Sequence, residues 1–189
     1  HGVNKNYFKI SSNIVFNEND KIQILYISPI NLYKHQVKVF KAVYNLKMKK
    51  FNVNIVFVGG GNGRERKNLE KEIIKKDSNN IFTKILPFTS QFELMKLISS
   101  SNLFLCASSC ENMPNTLLQG MASGLPIACS NRGPMPEVLK DGGIYFNPED
   151  EISIEKAIEY LILNKKERIN FAKKAKELAL PFTWENTAT

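Results

Sequence analysis

Apolar and polar positions form blocks along the chain, and the period within each block predicts a strand or a helix. Continuous apolar runs bounded by turn residues, such as 53–58 before the glycines at 59–63, indicate strands buried on both faces. Blocks with helical spacing separate these runs. The predicted strands are 21–28, 53–58, 81–86, 102–107, 125–129 and 144–146, and the predicted helices are 37–50, 64–76, 91–100, 114–123, 135–140, 153–163 and 165–180.

Strands that alternate with helices predict an α/β fold, a Rossmann-like three-layer domain with a mainly parallel sheet of about six strands. Residues 1–20 are polar and irregular and are predicted to be a linker or edge segment, with the domain at 21–189. Ligands of such sheets bind outside the carboxyl ends of the strands, where the strand order reverses. With the usual order 3-2-1-4-5-6, this crevice lies between the loops 28–34 and 108–115.

One charged residue, Glu111, occurs between positions 97 and 131, although charged residues make up 23% of the chain. Glu111 follows a predicted buried strand and precedes Pro114, which suits the first position of a helix because its missing N–H would be unpaired there. A helix N-terminus carries unpaired N–H groups and a partial positive charge. This arrangement predicts a phosphate-bearing ligand.

The predicted helix after Glu111 carries an uncharged polar stripe, because Asn115, Gln119 and Ser123 are spaced by four residues. Gln119 lies roughly 7–8 Å along the helix axis from Pro114. An extended ligand would contact the N–H groups at one end and the Gln119 amide at the other. The alternative is that Gln119 bonds a neighbouring loop of the protein.

The segment around Glu111 resembles the Glu-x7-Glu signature of family 4 glycosyltransferases. It reads S-x-x-E, seven residues, Gln, then Gly-Met-Ala-Ser-Gly-Leu-Pro-Ile. In that family the signature belongs to the C-terminal, donor-binding half of the two-domain GT-B fold. The resemblance runs from about Ile22 to Trp184 and includes Lys34, the glycine turn, Leu86-Pro87-Phe88 and the ending Phe182-Thr183-Trp184-Glu185.

The resemblance implies two catalytic residues. Glu111 would contact the donor sugar near its transferring end, and Lys34 would neutralise the leaving diphosphate. Gln119 stands where the family usually has a second Glu that binds the ribose, and an amide still accepts and donates hydrogen bonds. The implied donor-binding residues are Asn112, Met113, Pro114, Asn115, Thr116, Gln119, Gly59, Gly60, Pro87 and Phe88, with the N–H groups of 112–116 on the diphosphate and Pro87 and Phe88 near the base.

The chain departs from the family pattern in two respects. Pro29 stands where many members have an arginine, so a cation is missing unless Arg64, Arg66 or Arg132 replaces it. The acceptor-binding N-terminal domain of a GT-B enzyme is not recognisable here, and we expect it to be absent from this chain. The chain alone should then bind nucleotide weakly and transfer no sugar. No metal and no cofactor are expected, since the nucleoside-diphosphate sugar is a substrate.

The net charge of +8 and the pI of about 9.3 are compatible with binding to phosphorylated ligands or to an anionic membrane. They are also compatible with many lysines that only face solvent. No segment interleaves arginine with aromatic residues, so nucleic acid is not an expected partner. No apolar run approaches the roughly 20 residues of a membrane-spanning helix. We expect a cytoplasmic protein, with peripheral contact to an anionic membrane or a lipid-linked acceptor as an open alternative. Cys106, Cys110 and Cys129 are predicted to be buried and reduced.

Three functions stay open at this stage. The first is the donor half of a retaining, hexosyl-transferring glycosyltransferase of bacterial surface polysaccharide synthesis. The second is a non-catalytic nucleotide-binding or assembly module, and the third is a GT-B epimerase. At several positions a structural interpretation is the alternative to a role in the site. Glu111 would cap the helix, and Lys34 and His35 would face solvent. The glycines 59–61 would only shape the turn, and Glu137 would be an ordinary helix carboxylate.

Overall fold

A single parallel sheet organises the chain. The computed structural model describes residues 2–184. Six strands lie in the order β3-β2-β1-β4-β5-β6 and pair in parallel. They are β1 (Ile22–Ile27), β2 (Val53–Val58), β3 (Thr83–Leu86), β4 (Leu103–Cys106), β5 (Ile127–Ser130) and β6 (Ile144–Phe146). The predicted fold class and strand order are confirmed.

Helices cover both faces of the sheet. They are α1 (Gln36–Met48), α2 (Arg64–Lys76), α3 (Gln91–Ser99), α4 (Asn115–Ser123), α5 (Met135–Leu139), α6 (Glu151–Leu163) and α7 (Lys165–Ala179), with 3-10 turns at Lys5–Lys9, Leu32–Lys34 and Leu180–Phe182. Helices α1, α2 and α6 pack on one face, and α3, α4, α5 and α7 pack on the other. Both faces need helices because strand side chains alternate between faces and are apolar on both: in β1, Ile24 enters one core cluster and Leu25 the other.

Two predicted strands begin two residues later than expected. The backbone N–H groups of residues 81–83 donate to the carboxylate of Asp77. The Phe82 carbonyl accepts from the Ile55 N–H of β2 at 2.8 Å, and β3 begins at Thr83. The strand expected at 125–129 is observed at Ile127–Ser130. There, Gly124 ends α4 in the left-handed conformation, with a φ of 71°, and Pro126 has no N–H to offer a ladder.

Residues 2–20, predicted to be a linker or edge segment, pack against the rest of the domain. Val3, Tyr7 and Phe16 are buried in its two core clusters. The Val3 N–H donates to the Phe182 carbonyl at 2.7 Å, and the Asn102 side chain donates to the Asn13 carbonyl at 2.9 Å. The polar residues between these few apolar positions hide any helical or strand period, so the local pattern does not reveal this packing.

Arg168 fastens this N-terminal segment to the last helices. Its buried guanidinium donates to the carbonyls of Ile14 and Phe16 and to those of Leu161 and Ile162 at the C-terminal end of α6. Its plane also lies over the Phe16 ring, 3.6 Å from the ring centroid. A cation suits this position, since carbonyl groups at a helix C-terminus carry partial negative charge.

We expect Arg168→Met to lower the free energy of unfolding by about 3 kcal/mol, because it leaves buried carbonyl groups without donors. Urea unfolding monitored by circular dichroism measures the change. The matched control is Lys173→Met, which removes one charge from the exposed side of the same helix and should change stability by about 0.5 kcal/mol or less. Equal effects of the two substitutions would contradict a structural role for Arg168.

Candidate functional site

The carboxyl ends of β1 and β4 place two loops side by side. The strands are neighbours in the sheet, with Ile24 opposite Leu103. Beyond their ends the Ser109 N–H donates to the Tyr33 carbonyl at 2.8 Å, and His35 Nε2 lies 2.9 Å from Ser109 Oγ. The loops expected to form the crevice therefore touch, as the strand order predicted.

Lys34 and Glu111, which are 77 positions apart in the sequence, form an ion pair in this crevice. Their side chains are only 9% and 19% exposed, so each charge is largely removed from water. The Lys34 carbonyl in turn accepts a hydrogen bond from the buried Tyr26 hydroxyl at 2.6 Å. Lys34 is therefore not the solvent-facing loop lysine of the alternative interpretation.

Helix α4 begins beside this pair, but Pro114 is its N-cap residue and not its first helical residue. Its φ and ψ are −82° and 75°, and the helix starts at Asn115. The prediction was off by one position because proline fits equally well just before a helix. No side chain caps α4, so Glu111 is not a capping carboxylate. The Asn115 N–H donates to the Met113 carbonyl at 2.9 Å, so the first-turn N–H groups left to an anion are those of Thr116 and Leu117.

Gly120 sets how closely α4 approaches β4. A Cβ atom at this position would lie 2.7 Å from the Phe104 ring, which is shorter than any ordinary contact. The glycine thus lets the helix lie directly on the strand that carries the Glu111 loop. In the sequence, Gly120 stands out only as part of the family pattern.

The predicted polar stripe on α4 is only partly exposed. Asn115 is exposed and Gln119 is half-buried, whereas Ser123 is buried and its hydroxyl donates to the Gly120 carbonyl at 2.7 Å. Gln119 Oε1 is buried and has no hydrogen-bond partner among residues 2–184. Within residues 2–184, this oxygen therefore makes no hydrogen bond to a neighbouring loop, which was the alternative interpretation.

The glycine turn after β2 packs against the other two loops. Gly59 has a φ of 150°, and a Cβ atom there would lie 2.1 Å from the Ser28 carbonyl oxygen. A Cβ atom on Gly60 would lie 2.5 Å from the Phe88 ring, and the Gly60 carbonyl accepts from the Ile30 N–H at 2.9 Å. At Gly59 the positive φ and the backbone contact require a glycine, whereas at Gly60 the neighbouring atoms belong to an exposed side chain that can move. The contact with Gly60 places the Phe88 ring, which is 70% exposed, at the same end of the sheet as the crevice.

The remaining predicted donor-binding residues surround the N-terminus of α4 or follow β3. Asn112 and Pro87 are exposed, Thr116 is half-buried, and Met113 packs partly against the core on the α4 side of the sheet.

The arginines considered as replacements for the cation missing at Pro29 differ in position. Arg66 donates to Glu70 within α2 at 2.6 Å, and Arg64 is exposed at the start of that helix. Arg132 lies in the loop after β5, which adjoins the crevice because a Cβ on Gly133 would be 4.0 Å from the Glu111 backbone. Its guanidinium lies 3.9 Å from Glu149. Of the three, only Arg132 is on a loop seen to adjoin Glu111.

Two side chains that the sequence did not assign to the site hold its loops. His35 was interpreted as a surface residue, but it is half-buried, precedes α1 in the left-handed conformation with a φ of 52°, and contacts Ser109. Gln36 is buried, and its amide donates to Ser28 Oγ at 2.8 Å and to the Pro29 carbonyl at 2.9 Å. No spacing rule marks such residues, because their partners lie in other loops.

The cysteine prediction is correct at two positions and wrong at one. Cys106 and Cys129 are buried, and burial raises the pKa of the Cys129 thiol, whereas Cys110 is exposed beside Glu111. Position 110 follows the end of β4, so the strand does not bury it. Residues 2–184 contain no cluster of three His, Cys, Asp or Glu side chains suited to a metal ion. Within the same range, every helix is too short or too polar to cross a lipid bilayer.

Comparison with known proteins places these features in a family. Residues 8–178 match the family model of glycosyl transferases group 1. The O-antigen chain mannosyltransferase B of Escherichia coli is 25% identical over 118 residues, which cover 62% of this chain and 31% of that protein. The sulfoquinovosyl transferase SQD2 of Arabidopsis thaliana is 25% identical over 177 residues, or 91% of this chain and 32% of that protein. The chain thus spans about a third of these relatives.

Solved structures share the fold at lower sequence identity. The Anabaena protein Alr3699/HepE in complex with UDP-glucose superposes with a TM-score of 0.80 at 19% identity, over 89% of this chain and 47% of that chain. A glycosyltransferase from Rickettsia africae gives a TM-score of 0.76 at 18% identity, over 98% of this chain and 52% of that chain. The sheet and its helices match GT-B glycosyltransferases, of which this chain spans about half the length.

His35 gives the site a pH dependence that can be measured. Burial lowers the pKa of His35 from its ordinary value of 6.5; the nearby Glu149 carboxylate raises it and Lys38 lowers it, and the net direction is downward. His35 is therefore harder to protonate in the folded protein than in the unfolded chain. The contribution of the neutral imidazole to stability is present above pH 6.5 and is lost as the pH falls from there through the pKa of His35 in the folded protein.

We expect the melting temperature of the wild type to fall between pH 8 and pH 5 by about 1–2 °C more than that of His35→Gln, since solvent partly screens this half-buried ring. Thermal melts of both proteins across this range, at constant ionic strength, give the difference. A larger fall in the variant would mean that the imidazole is stabilised in its protonated form.

Proposed function

The chain belongs to the glycosyl transferases group 1 family, and we propose that it is the C-terminal, nucleotide-sugar-binding domain of a retaining family 4 enzyme. The complete enzyme would move a hexosyl group from a nucleoside diphosphate to an acceptor hydroxyl. The observation that carries this proposal is the meeting of Lys34 and Glu111 at the N-terminus of α4. This crevice combines a cation, an uncapped helix N-terminus and a carboxylate, which suit a diphosphate joined to a sugar.

Each group has a distinct part in the proposed reaction. The first-turn N–H groups of α4 hold the diphosphate, and Lys34 stabilises the negative charge that develops as the diphosphate leaves. Glu111 accepts hydrogen bonds from hydroxyls of the transferring sugar. Because Lys34 and the helix supply the positive charge, the proposed chemistry needs no metal ion. The similarity to a protein that was solved with UDP-glucose supports a nucleotide-sugar donor.

The nucleotide portion would extend along α4 and the loops after β2 and β3. Gln119 Oε1, buried and without a partner among residues 2–184, offers an acceptor for a ribose hydroxyl. The exposed Phe88 ring beside Gly60 offers a flat apolar surface for the base.

The acceptor site and further catalytic groups would come from the part of the enzyme outside this chain. The similarity to an O-antigen mannosyltransferase supports a setting in bacterial surface polysaccharide synthesis. The proposed location is the cytoplasm, with the basic surface meeting the inner face of the membrane or a lipid-linked acceptor.

Calorimetric titration with UDP, GDP, ADP and their sugar conjugates tests the donor site. We expect one base to be preferred, and we expect Glu111→Ala to weaken binding of the sugar conjugate about tenfold, since it removes hydrogen bonds to a charged acceptor. Glu137→Ala, on the exposed side of α5, is the control and should change neither affinity. The complete enzyme should transfer sugar and this chain alone should not. A complete enzyme that neither binds nor transfers any nucleotide sugar would exclude the proposal.

A non-catalytic module is the second candidate, because Pro29 supplies no cation and Gln119 replaces a carboxylate. Gln119→Glu separates the two. In a working donor site this substitution should keep or raise nucleotide affinity, by up to about threefold, because a carboxylate accepts two hydroxyls. In a module without a nucleotide site, the same titration should show no response.

A further inference from the structure

The Lys34–Glu111 ion pair has a consequence for which ligand the crevice prefers. We propose that Glu111 competes with a diphosphate for Lys34, so the crevice binds a nucleotide sugar more tightly than the bare nucleoside diphosphate. This inference rests on the proposed function. It assigns Glu111 a second part, in which it opposes binding of the product that remains after transfer.

The pair can open without movement of the loops that carry it. On one side the Ser109 N–H bonds the Tyr33 carbonyl and His35 contacts Ser109. The Lys34 backbone is fixed separately, by the hydrogen bond from Tyr26 to its carbonyl. Only the two terminal groups of the pair, Nζ and the carboxylate, need to separate. An anion that enters the crevice therefore exchanges with Glu111 at Lys34 while the loops stay in place.

The surroundings of the pair make this exchange unfavourable for a diphosphate alone. The side chains are 9% and 19% exposed, so the attraction between them is screened less than in a surface pair. Between positions 97 and 131 no other side chain is charged, and Arg132, on the loop that adjoins Glu111, has its guanidinium 3.9 Å from the Glu149 carboxylate. A diphosphate that binds Lys34 thus leaves the Glu111 carboxylate without its cation. The carboxylate then also lies close to the negative charge of the diphosphate.

A sugar attached to the diphosphate changes this balance. A carboxylate only accepts hydrogen bonds, and sugar hydroxyls are donors that satisfy it without adding charge. The nucleotide sugar therefore offsets the loss of the ion pair, whereas the bare diphosphate does not. After transfer, the carboxylate regains Lys34 and favours release of the diphosphate.

Glu111→Gln tests the inference because it removes the negative charge and keeps the shape of the side chain. Titrations of wild type and variant use inorganic pyrophosphate, the preferred nucleoside diphosphate and its sugar conjugate. We expect the variant to bind pyrophosphate and the nucleoside diphosphate about three- to tenfold more tightly. Its affinity for the sugar conjugate should fall, so the preference for the conjugate is lost.

Two further variants make the result specific. Glu65→Gln removes one carboxylate from the cavity beside His35, and Glu65 makes no ion pair with any residue in 2–184. It should change each affinity by less than about twofold. In a Lys34→Met background, Glu111→Gln should no longer strengthen diphosphate binding as it does beside Lys34, because the competition has been removed. Circular dichroism confirms that each variant is folded.

The outcomes separate the inference from the proposed function. If the wild type binds nucleotides but Glu111→Gln leaves diphosphate affinity unchanged or weakens it, the competition is refuted and the donor site stands. An equal gain in the Lys34→Met background would also refute it, since the gain would then be a general effect of charge. If wild type binds neither nucleotide nor pyrophosphate, the proposed function fails and the inference fails with it.

Discussion

The parallel pairing of β1 with β4 is the constraint on which the rest of this molecule depends. It reverses the strand order, because the chain builds β2 and β3 on one side of β1 and then returns to its other side. Both neighbours then send their loops to the same edge of the sheet, where the crevice lies between them. Lys34 and Glu111 meet there because of the topology, although they are 77 positions apart.

The surrounding contacts hold these two charges in place without neutralising them a second time. Tyr26, His35 and Gln36 bond backbone carbonyls or neutral hydroxyls of the β1 and β4 loops. Gly120 lets α4 lie close to β4, so its N-terminus reaches the same place. The crevice thus combines the Lys34 cation, the Glu111 anion and the dipole of α4, and uncharged groups hold them in place. In the proposed reaction, the interactions among these charges decide which anionic ligand stays bound and which is released.

The N-terminal segment, residues 2–20, is attached to the domain in a different way. Residues 2–20 have little regular structure beyond one 3-10 turn, yet buried side chains at three positions and the Arg168 guanidinium attach them to α6 and α7. The Val3 backbone also pairs with residues just after α7. The incoming and outgoing ends of the described chain therefore lie together, on the side of the sheet that α4 and α7 cover.

The sequence by itself determined the fold class, the strand order and most helix bounds, because burial on two faces requires continuous apolar strands and because helical periods are local. It also placed Lys34 and Glu111 in one crevice through the topology rule, and the absence of other charges around Glu111 marked the segment. The tertiary structure alone decided that the two charges pair and that His35 and Gln36 hold the loops. It also decided that Gly59 and Gly60 pack against protein and that residues 2–20 pack against the domain. Each of these depends on a partner distant in sequence, and no local period or spacing encodes such a partner.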